Sequence, residues 1–576
     1  MIRRRVAPDD MGDWGGLPPL LQRLHAARGA RSREEARPRL AHLLPPDLLG
    51  GLADAVRLLA DAIAADRHIV VVGDFDCDGA TACAVGVRGL RMLGARRVSH
   101  AVPNRRVHGY GLSPALVEEL AALQPALLLT VDHGIACHAG IAAAKARGWQ
   151  VLVTDHHLPG DALPPADAIV NPNLRGDPFP SKALAGVGVV FYLLLALRAD
   201  CRRRGVAGGE ADLGALLDLV AVGTVADLVP LDANNRALVA AGLRQLRAGK
   251  GCAGLRALIE VAGRDPACLA ASDIGFGLAP RINAAGRLQD MAIGIECLLC
   301  DDATRARSLA ATLHAINAER QDLQQGMLDA ADAALARLDL DGELPLVPCL
   351  FDADWHPGVV GLVASRLKER LSRPVFAFAP AEPGSPALRG SARSVAGLHV
   401  RDLLAAVDAA EPGLIERFGG HAMAAGLSIA RDALPRFRQA LAREAALRLD
   451  PALLAAEVPS DGELQPHEFD IVHACLLRDG GPWGQGYPEP QFDGEFEVRR
   501  WRVVGGKHLK LELAGPRGTL DAIHFDGWSG QPPPSRVRIA YRLEPDGYRG
   551  GEVIQLRVLH LEAAATAPVA RAAATA

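Results

Sequence analysis

Across 576 residues the chain sets 63 Lys and Arg against 67 Asp and Glu, a formal charge of −4. That balance disfavours a uniformly basic duplex-coating protein, although a local basic groove is invisible in the sum. No run of about eighteen apolar residues occurs, so no membrane span is expected. MIRRRVAPDDMGDWGG at the N-terminus has positive charge but no apolar stretch behind it, and is no signal peptide. The 10 cysteines, irregularly spaced, fit reduced thiols in a cytoplasm better than a disulfide framework. Cys297 and Cys300 have CxxC spacing, yet with no second pair or nearby His they read as core.

At roughly 150 residues per domain, about three or four domains are expected. Residues 1–65 are Pro-punctuated and helical, with Ala53–Ala64 feeding a first strand. From His68 to about Val229 apolar runs alternate with helical stretches: Ile69–Val72, Val98–Val102, Ala126–Val131, Val151–Val153 and Ala168–Val170. Such alternation predicts a parallel, doubly wound α/β domain over 66–300, its later part all helices. A linking helix is expected over 301–338, with Leu309, Leu313, Ile316, Leu323 and Met327 on one face. At 1.5 Å per residue it spans roughly 50 Å. Val347–Phe351 and Val375–Phe378 then flank a helix, predicting a second, smaller α/β domain over 339–445. Short β-type runs separated by Gly, Pro and Asp over 459–562 predict a small β-barrel such as an OB fold. The Ala- and Thr-rich residues 563–576 have no core-forming pattern and read as a disordered tail.

The chemistry concentrates where apolar runs stop. GDFDCDG (73–79), TVDHG (130–134) and VTDHH (153–157) each follow a predicted strand, and GTVADLVPL (223–231) adds a further acid. Asp74, Asp76, Asp78, Asp132, Asp155, His156 and His157 thus fall at strand ends, where open parallel sheets bind ligands. The three acids of GDFDCDG alternate, so in an extended segment they face one side, and Gly79 then opens a helix. So many carboxylates in one crevice demand a cation, because like charges raise each other's pKa. Carboxylate and imidazole ligands suit Mn²⁺, Mg²⁺ or Zn²⁺, and one ion leaves ligands unused, which predicts a two-metal phosphoesterase. His156 reads as a ligand and His157 as a contact to a second metal or a phosphate. Asp155 reads equally as a helix N-cap.

Together these segments resemble the DHH phosphoesterase superfamily. VPNRRVHGYGL (102–112), LAPRINAAGRL (278–288), WHPGVVGLVASRL (355–367), GSARS (390–394), GGHAMAAGL (419–427) and GPWGQGYPEP (481–490) are similar, in order, to blocks of its RecJ family. In the last block, which looks like the start of that family's OB domain, Tyr487 stands where the family more usually has Asn. The resemblance implies a single-strand-specific 5′→3′ DNA exonuclease acting in recombination and repair. It implies metal ligation by Asp76, Asp78, Asp132, His156 and Asp227, with Asp74 and His157 close by and Asp132 bridging two Mn²⁺ or Mg²⁺ ions. Asp132, His156 and His157 carry catalysis in this reading, and Asp74 joins the metal set.

The remaining blocks imply substrate handling. Arg281, Asn283 and Arg287 on a Gly- and Ala-rich turn would clamp phosphates. Ser391 and Arg393 would hold the 5′-terminal phosphate, and Gly419, Gly420 and His421 would begin a loop offering N–H groups. Arg105, Arg106 and Tyr110 would hold the backbone and stack a base. His356 would lie near substrate or cap a turn. Trp501, Lys507, His508 and Lys510 give the barrel an aromatic and basic surface for single strands. A single-strand-binding protein and a helicase are expected partners, and a monomer suffices. Two other readings remain at this level: a DHH phosphodiesterase for short oligonucleotides, and an inactive single-strand-binding clamp.

Overall fold

The chain opens with a strand, Ile2–Arg4 (β1), in a segment whose composition predicts only helices. It pairs in parallel with residues 458–460. A strand this short is created by its partner, so its own sequence carries no signal for it. Helices Pro19–Ala26 and Leu52–Ala64 follow. The structure is a computed structural model describing residues 2–6, 8, 14–105, 107–341, 345–395, 397–450 and 457–564. It divides into two compact units, one holding the described residues to Pro103, His108–Ala279 and those from Glu457 onward. The other holds Asn104–Val107 and the described residues from Pro280 up to 456.

In the first unit Ile69–Val72 (β2), Val98–Ala101 (β3), Leu127–Val131 (β4), Gln150–Thr154 (β5) and Ala168–Val170 (β6) form one parallel sheet. Its order is β3-β2-β4-β5-β6. β2 and β4 are wholly buried, so they read as unbroken aliphatic runs with no period of two. The winding reverses between β2 and β4, which makes their C-terminal ends the switch point where such sheets bind ligands. Helices Gly186–Arg204, Leu217–Ala226 and Ala233–Arg247 follow the sheet.

The second unit is dominated by one helix, Ala303–Asp341. Its buried stripe runs through Ala306, Ala310, Leu313, Ile316 and Met327, whereas Leu323 is 37 % exposed and departs from the expected face. Cys349–Phe351 (β7), Val375–Pro380 (β8), Ala387–Arg393 (β9), Arg417–Gly420 (β10) and Ala424–Ala430 (β11) form a mixed sheet in the order β10-β11-β9-β8-β7. Only β7 and β8 pair in parallel. Helix Val360–Leu371 packs Val360, Val363, Ala364 and Leu367 against Met327 and Ala331 of the long helix.

The C-terminal part returns to the first unit. After Val458–Ser460 (β12), strands Phe492–Val504 (β13), His508–Gly515 (β14), Gly518–His524 (β15), Arg536–Pro545 (β16) and Ile554–Ala563 (β17) close a barrel. Its order is β13-β14-β15-β17-β16, a closed five-stranded OB-like barrel. Residues 481–490 are not part of it. Trp483 and Tyr487 stack with centroids 5.6 Å apart, His25 lies 5.1 Å from Trp483, and the Arg236 guanidinium sits 3.9 Å from the Tyr487 ring centre. This segment therefore fastens the barrel to the N-terminal helix and to helix Ala233–Arg247. The expected tail lies outside the described residues from 565 onward. Cys297 is buried and Cys300 half-buried, and neither forms a disulfide among the described residues. No described helix is long and apolar enough to cross a membrane.

Candidate metal centre

β2 delivers Asp74 at its end, and the chain turns at once into helix Cys77–Met92. The helix starts two residues before Gly79, so the expected extended alternation of the three acids is wrong. Asp76 is the N-cap, its carboxylate accepting from Gly79 N at 3.0 Å, and Asp78 sits inside the first turn. Three acids converge because a helix start, favourable to negative charge, is wound tightly onto a strand end. Gly79 permits it, since a β-carbon there would lie 2.5 Å from Asp74 N.

Asp78 is held from a second helix. Gly186 N and Val187 N, at the start of helix Gly186–Arg204, donate to its Oδ2 and Oδ1 at 2.6 and 3.0 Å. The sequence reading misses this helix start. A β-carbon on Gly186 would fall 2.5 Å from both Cβ and Oδ1 of Asp132, and one on Gly223 would fall 2.7 Å from Asp78 Oδ1. The GVGVV and GTVAD glycines were the signal to follow: each lets a helix backbone approach a buried carboxylate.

Asp132 follows β4 with φ +65°, a conformation non-glycine residues adopt at a cost. Its Oδ1 is buried without a hydrogen bond, and His156 Nε2 faces it at 3.1 Å. The same Nε2 lies 3.5 Å from Asp227 Oδ2, at the C-cap of helix Leu217–Ala226. Ligand atoms within 4.8 Å of one another come from Asp74, Asp76 and Asp132, from Asp78, His156 and Asp227, and from Asp132, His156 and His157. The first two sets share no residue, so the donors fit two hard cations, with an orphaned carboxylate oxygen beside both.

Burial, then the charge of neighbouring acids, lifts Asp74, Asp78, Asp132 and Asp227 above the usual carboxylate range. Asp155 behaves oppositely. Burial opposes its charge, but the hydrogen bond and charge of His157 and the backbone N–H groups of His157 and Ile135 bring it down to about 2. Asp155 Oδ1 accepts from His157 Nδ1 at 2.8 Å, leaving Nε2 as the free ring nitrogen of that imidazole for the site. Burial would lower His157, yet Asp155 raises it to about 9. Asp155 thus orients the His157 ring. Asp155→Asn is expected to cut turnover roughly 10- to 100-fold with little change in fold, measured by steady-state kinetics and thermal melting.

These shifts fix a pH dependence. Carboxylates whose folded pKa is raised favour folding most when protonated, so their contribution is lost as pH rises through the folded value. His157 acts in the same direction, being lost from about 6.5 to about 9, and the window of Asp155 lies below pH 4. Metal-free protein is therefore expected to melt at falling temperatures from about pH 4 to 9, the carboxylates acting first and His157 joining above about 6.5. Mn²⁺ at a hundredfold excess over its Kd adds about 2.7 kcal/mol and flattens the slope. Calorimetry with and without chelator reads both.

Tyr110 reaches this site, edge-on to Phe75 at 5.8 Å and to His157 at 6.3 Å between ring centres. Arg105 is exposed, and Arg106 lies outside the described residues. In the second unit PRINAAGR is not a turn but helix Ala279–Leu288. Asn283 and Arg287 share a face, while Arg281 turns away to donate from Nε to His314 Nδ1 at 3.1 Å. His356 Nδ1 accepts from Gly358 N at 3.1 Å, a capping contact. Gly419 and Gly420 end β10, an edge strand, in a hairpin with β11, and the His421 N–H is turned inward to Ala424 O.

Ser391 and Arg393 do converge. Arg393 donates to Ser391 Oγ at 2.9 Å and to Ser365 Oγ at 3.0 Å, and no carboxylate pairs with it among the described residues. A β-carbon on Gly361, in the first turn of helix Val360–Leu371, would sit 3.1 Å from its guanidinium. On the barrel Trp501 stacks on Trp528 at 5.5 Å, Lys507 pairs with Asp526 at 3.2 Å, and His508 accepts from Asp526 N at 2.9 Å.

Family models match three stretches: the DHH family N-terminal domain over 68–224, the DHHA1 domain over 344–446 and the RecJ OB domain over 460–560. The chain is 50 % identical over 571 residues to the single-stranded-DNA-specific exonuclease RecJ of Dickeya dadantii (strain 3937), covering 97 % of this chain and 98 % of that protein. For Escherichia coli (strain K12) RecJ the identity is 48 % over 565 residues, covering 96 % and 98 %. The crystal structure of Thermus thermophilus RecJ in complex with Mn²⁺ superimposes with a TM-score of 0.77 at 33 % identity, over 98 % of this chain and 80 % of that one. The chain belongs to the RecJ family of single-stranded-DNA-specific exonucleases.

Proposed function

We propose that the protein hydrolyses single-stranded DNA from its 5′ end to 5′-mononucleotides, using two Mn²⁺ or Mg²⁺ ions. The observation that carries this reading is the pair of separate ligand sets, Asp74/Asp76/Asp132 and Asp78/His156/Asp227. Asp132, beside His156, serves as the carboxylate between them. When bound, the two cations acidify a water and offset charge developing on the phosphate oxygens. The protein holds everything else in register. Asp155 keeps His157 protonated at Nδ1 so that Nε2–H points to a phosphate oxygen, and the Gly186 and Val187 N–H groups fix Asp78. Arg393, with only neutral partners among the described residues, supports the reading in which it and Ser391 hold the 5′-terminal phosphate.

The protein would act in the cytoplasm in recombination and repair, as a monomer, supplied with strands by a helicase and a single-strand-binding protein. The complete acid set speaks against an inactive clamp, and the barrel against a short-oligonucleotide enzyme. A time course on single- and double-stranded DNA in Mn²⁺, Mg²⁺ or chelator tests it. Digestion of single strands alone, stopped by chelator, is expected; digestion of blunt duplex at equal rate, or with chelator present, would refute it.

A further inference from the structure

Beside the metal centre two apolar side chains stand in water without an internal reason. Phe276 is 76 % exposed and Leu228 is 70 % exposed. An exposed large aromatic is ordinary when alone, but these two are held there by unusual backbone. Residues Ile274–Leu278 form a π-helical turn, a widened turn that frequently occurs at functional sites. Ile274 and Leu278 are buried on the inner side of that turn, which sends Phe276 outward. Leu228 has φ +60°, costly for a leucine.

Both positions are tied to the catalytic acids. A β-carbon on Gly275 would touch Val225 Cγ1 at 3.6 Å, and Leu228 N donates to Val225 O at 3.4 Å. Between Val225 and Leu228 lies Asp227, whose carboxylate is 3.5 Å from His156. Both residues therefore stand on, or pack against, the backbone that carries Asp227 into the acid cluster.

We propose that Phe276, assisted by Leu228, is a platform for a nucleobase of the strand being cut, which positions the scissile phosphate. This rests on the nuclease reading above and names a residue within it. A nucleotide needs both surfaces that this rim supplies: cation-loaded carboxylates for its phosphate and an apolar face for its base. Neither Phe nor Leu offers a side-chain hydrogen bond, so the platform accepts all four bases, as an enzyme that digests any sequence requires.

The test pairs a missing side chain with a missing base. Wild type and Phe276→Ala are compared in Mn²⁺ on single strands that are intact or carry one abasic residue scanned over the first nucleotides. At one abasic position wild type is expected to lose roughly five- to a hundredfold in kcat/KM, mostly through KM. Phe276→Ala should show the same loss on the intact strand and no further loss on that abasic strand, and Phe276→Trp should restore wild-type behaviour. An exposed site makes unfolding no explanation, and equal melting temperatures check this. A wild-type rate for Phe276→Ala on intact strands, or an undiminished abasic penalty in that variant, overturns the proposal. No digestion by wild type overturns the nuclease reading and this proposal with it.

Discussion

Asp132→Ala is expected to leave less than about a thousandth of wild-type turnover on single strands in Mn²⁺. Among the described residues Asp132 is the carboxylate grouped both with Asp74 and Asp76 and with the two histidines, so in the proposed two-cation site its loss would weaken the hold on both. Removing one preorganised electrostatic group from an active site costs roughly 10²–10³ in rate, and losing cation binding adds to that. The same substitution should stabilise the metal-free protein, because it deletes a carboxyl group whose ionisation is opposed by burial and then by Asp78 and Asp76. Equilibrium dialysis of Mn²⁺ should show two ions per wild-type chain and fewer in the variant. Loss of activity together with loss of the apoprotein fold would mean that Asp132 is structural.

Gly186→Ala is expected to be the second most damaging change, although the residue touches no substrate. The added β-carbon would lie 2.5 Å from Asp132 Cβ, so either the helix start or Asp132 must retreat. Retreat of the helix removes the N–H donors at 2.6 and 3.0 Å that hold Asp78. A displacement of about 1 Å at a catalytic group costs on the order of a hundredfold. Overpacking should also remove about 1–3 kcal/mol of stability, seen as a lower urea midpoint at unchanged slope. Activity within twofold of wild type would show that this close approach is not needed.

The strand-end acids were legible because position in a parallel sheet is written in the aliphatic runs before them. Their orientation was not. The helix beginning at Cys77, with Asp76 as its cap, replaces an extended alternation, because capping depends on which of three neighbouring acids the helix start selects. Asp155 could be read as cap or ligand until its bonds to His157 and Ile135 were seen. Long-range pairings were invisible for the same reason. The strand Ile2–Arg4 exists through residues 458–460, and Gly186 matters only through Asp132 and Asp78. In PRINAAGR the composition suggested a turn, yet buried Ile282, Ala284 and Ala285 make it a helix that parts Arg281 from Arg287.

The most direct measurement follows both ends of one long single strand, labelled differently at 5′ and 3′, in Mn²⁺. The 5′ label should appear as free mononucleotide from the earliest time points while the 3′ label stays on long fragments, and chelator should halt both. Early release of the 3′ label, or internal fragments carrying either label, would contradict a 5′-end exonuclease built on these carboxylates.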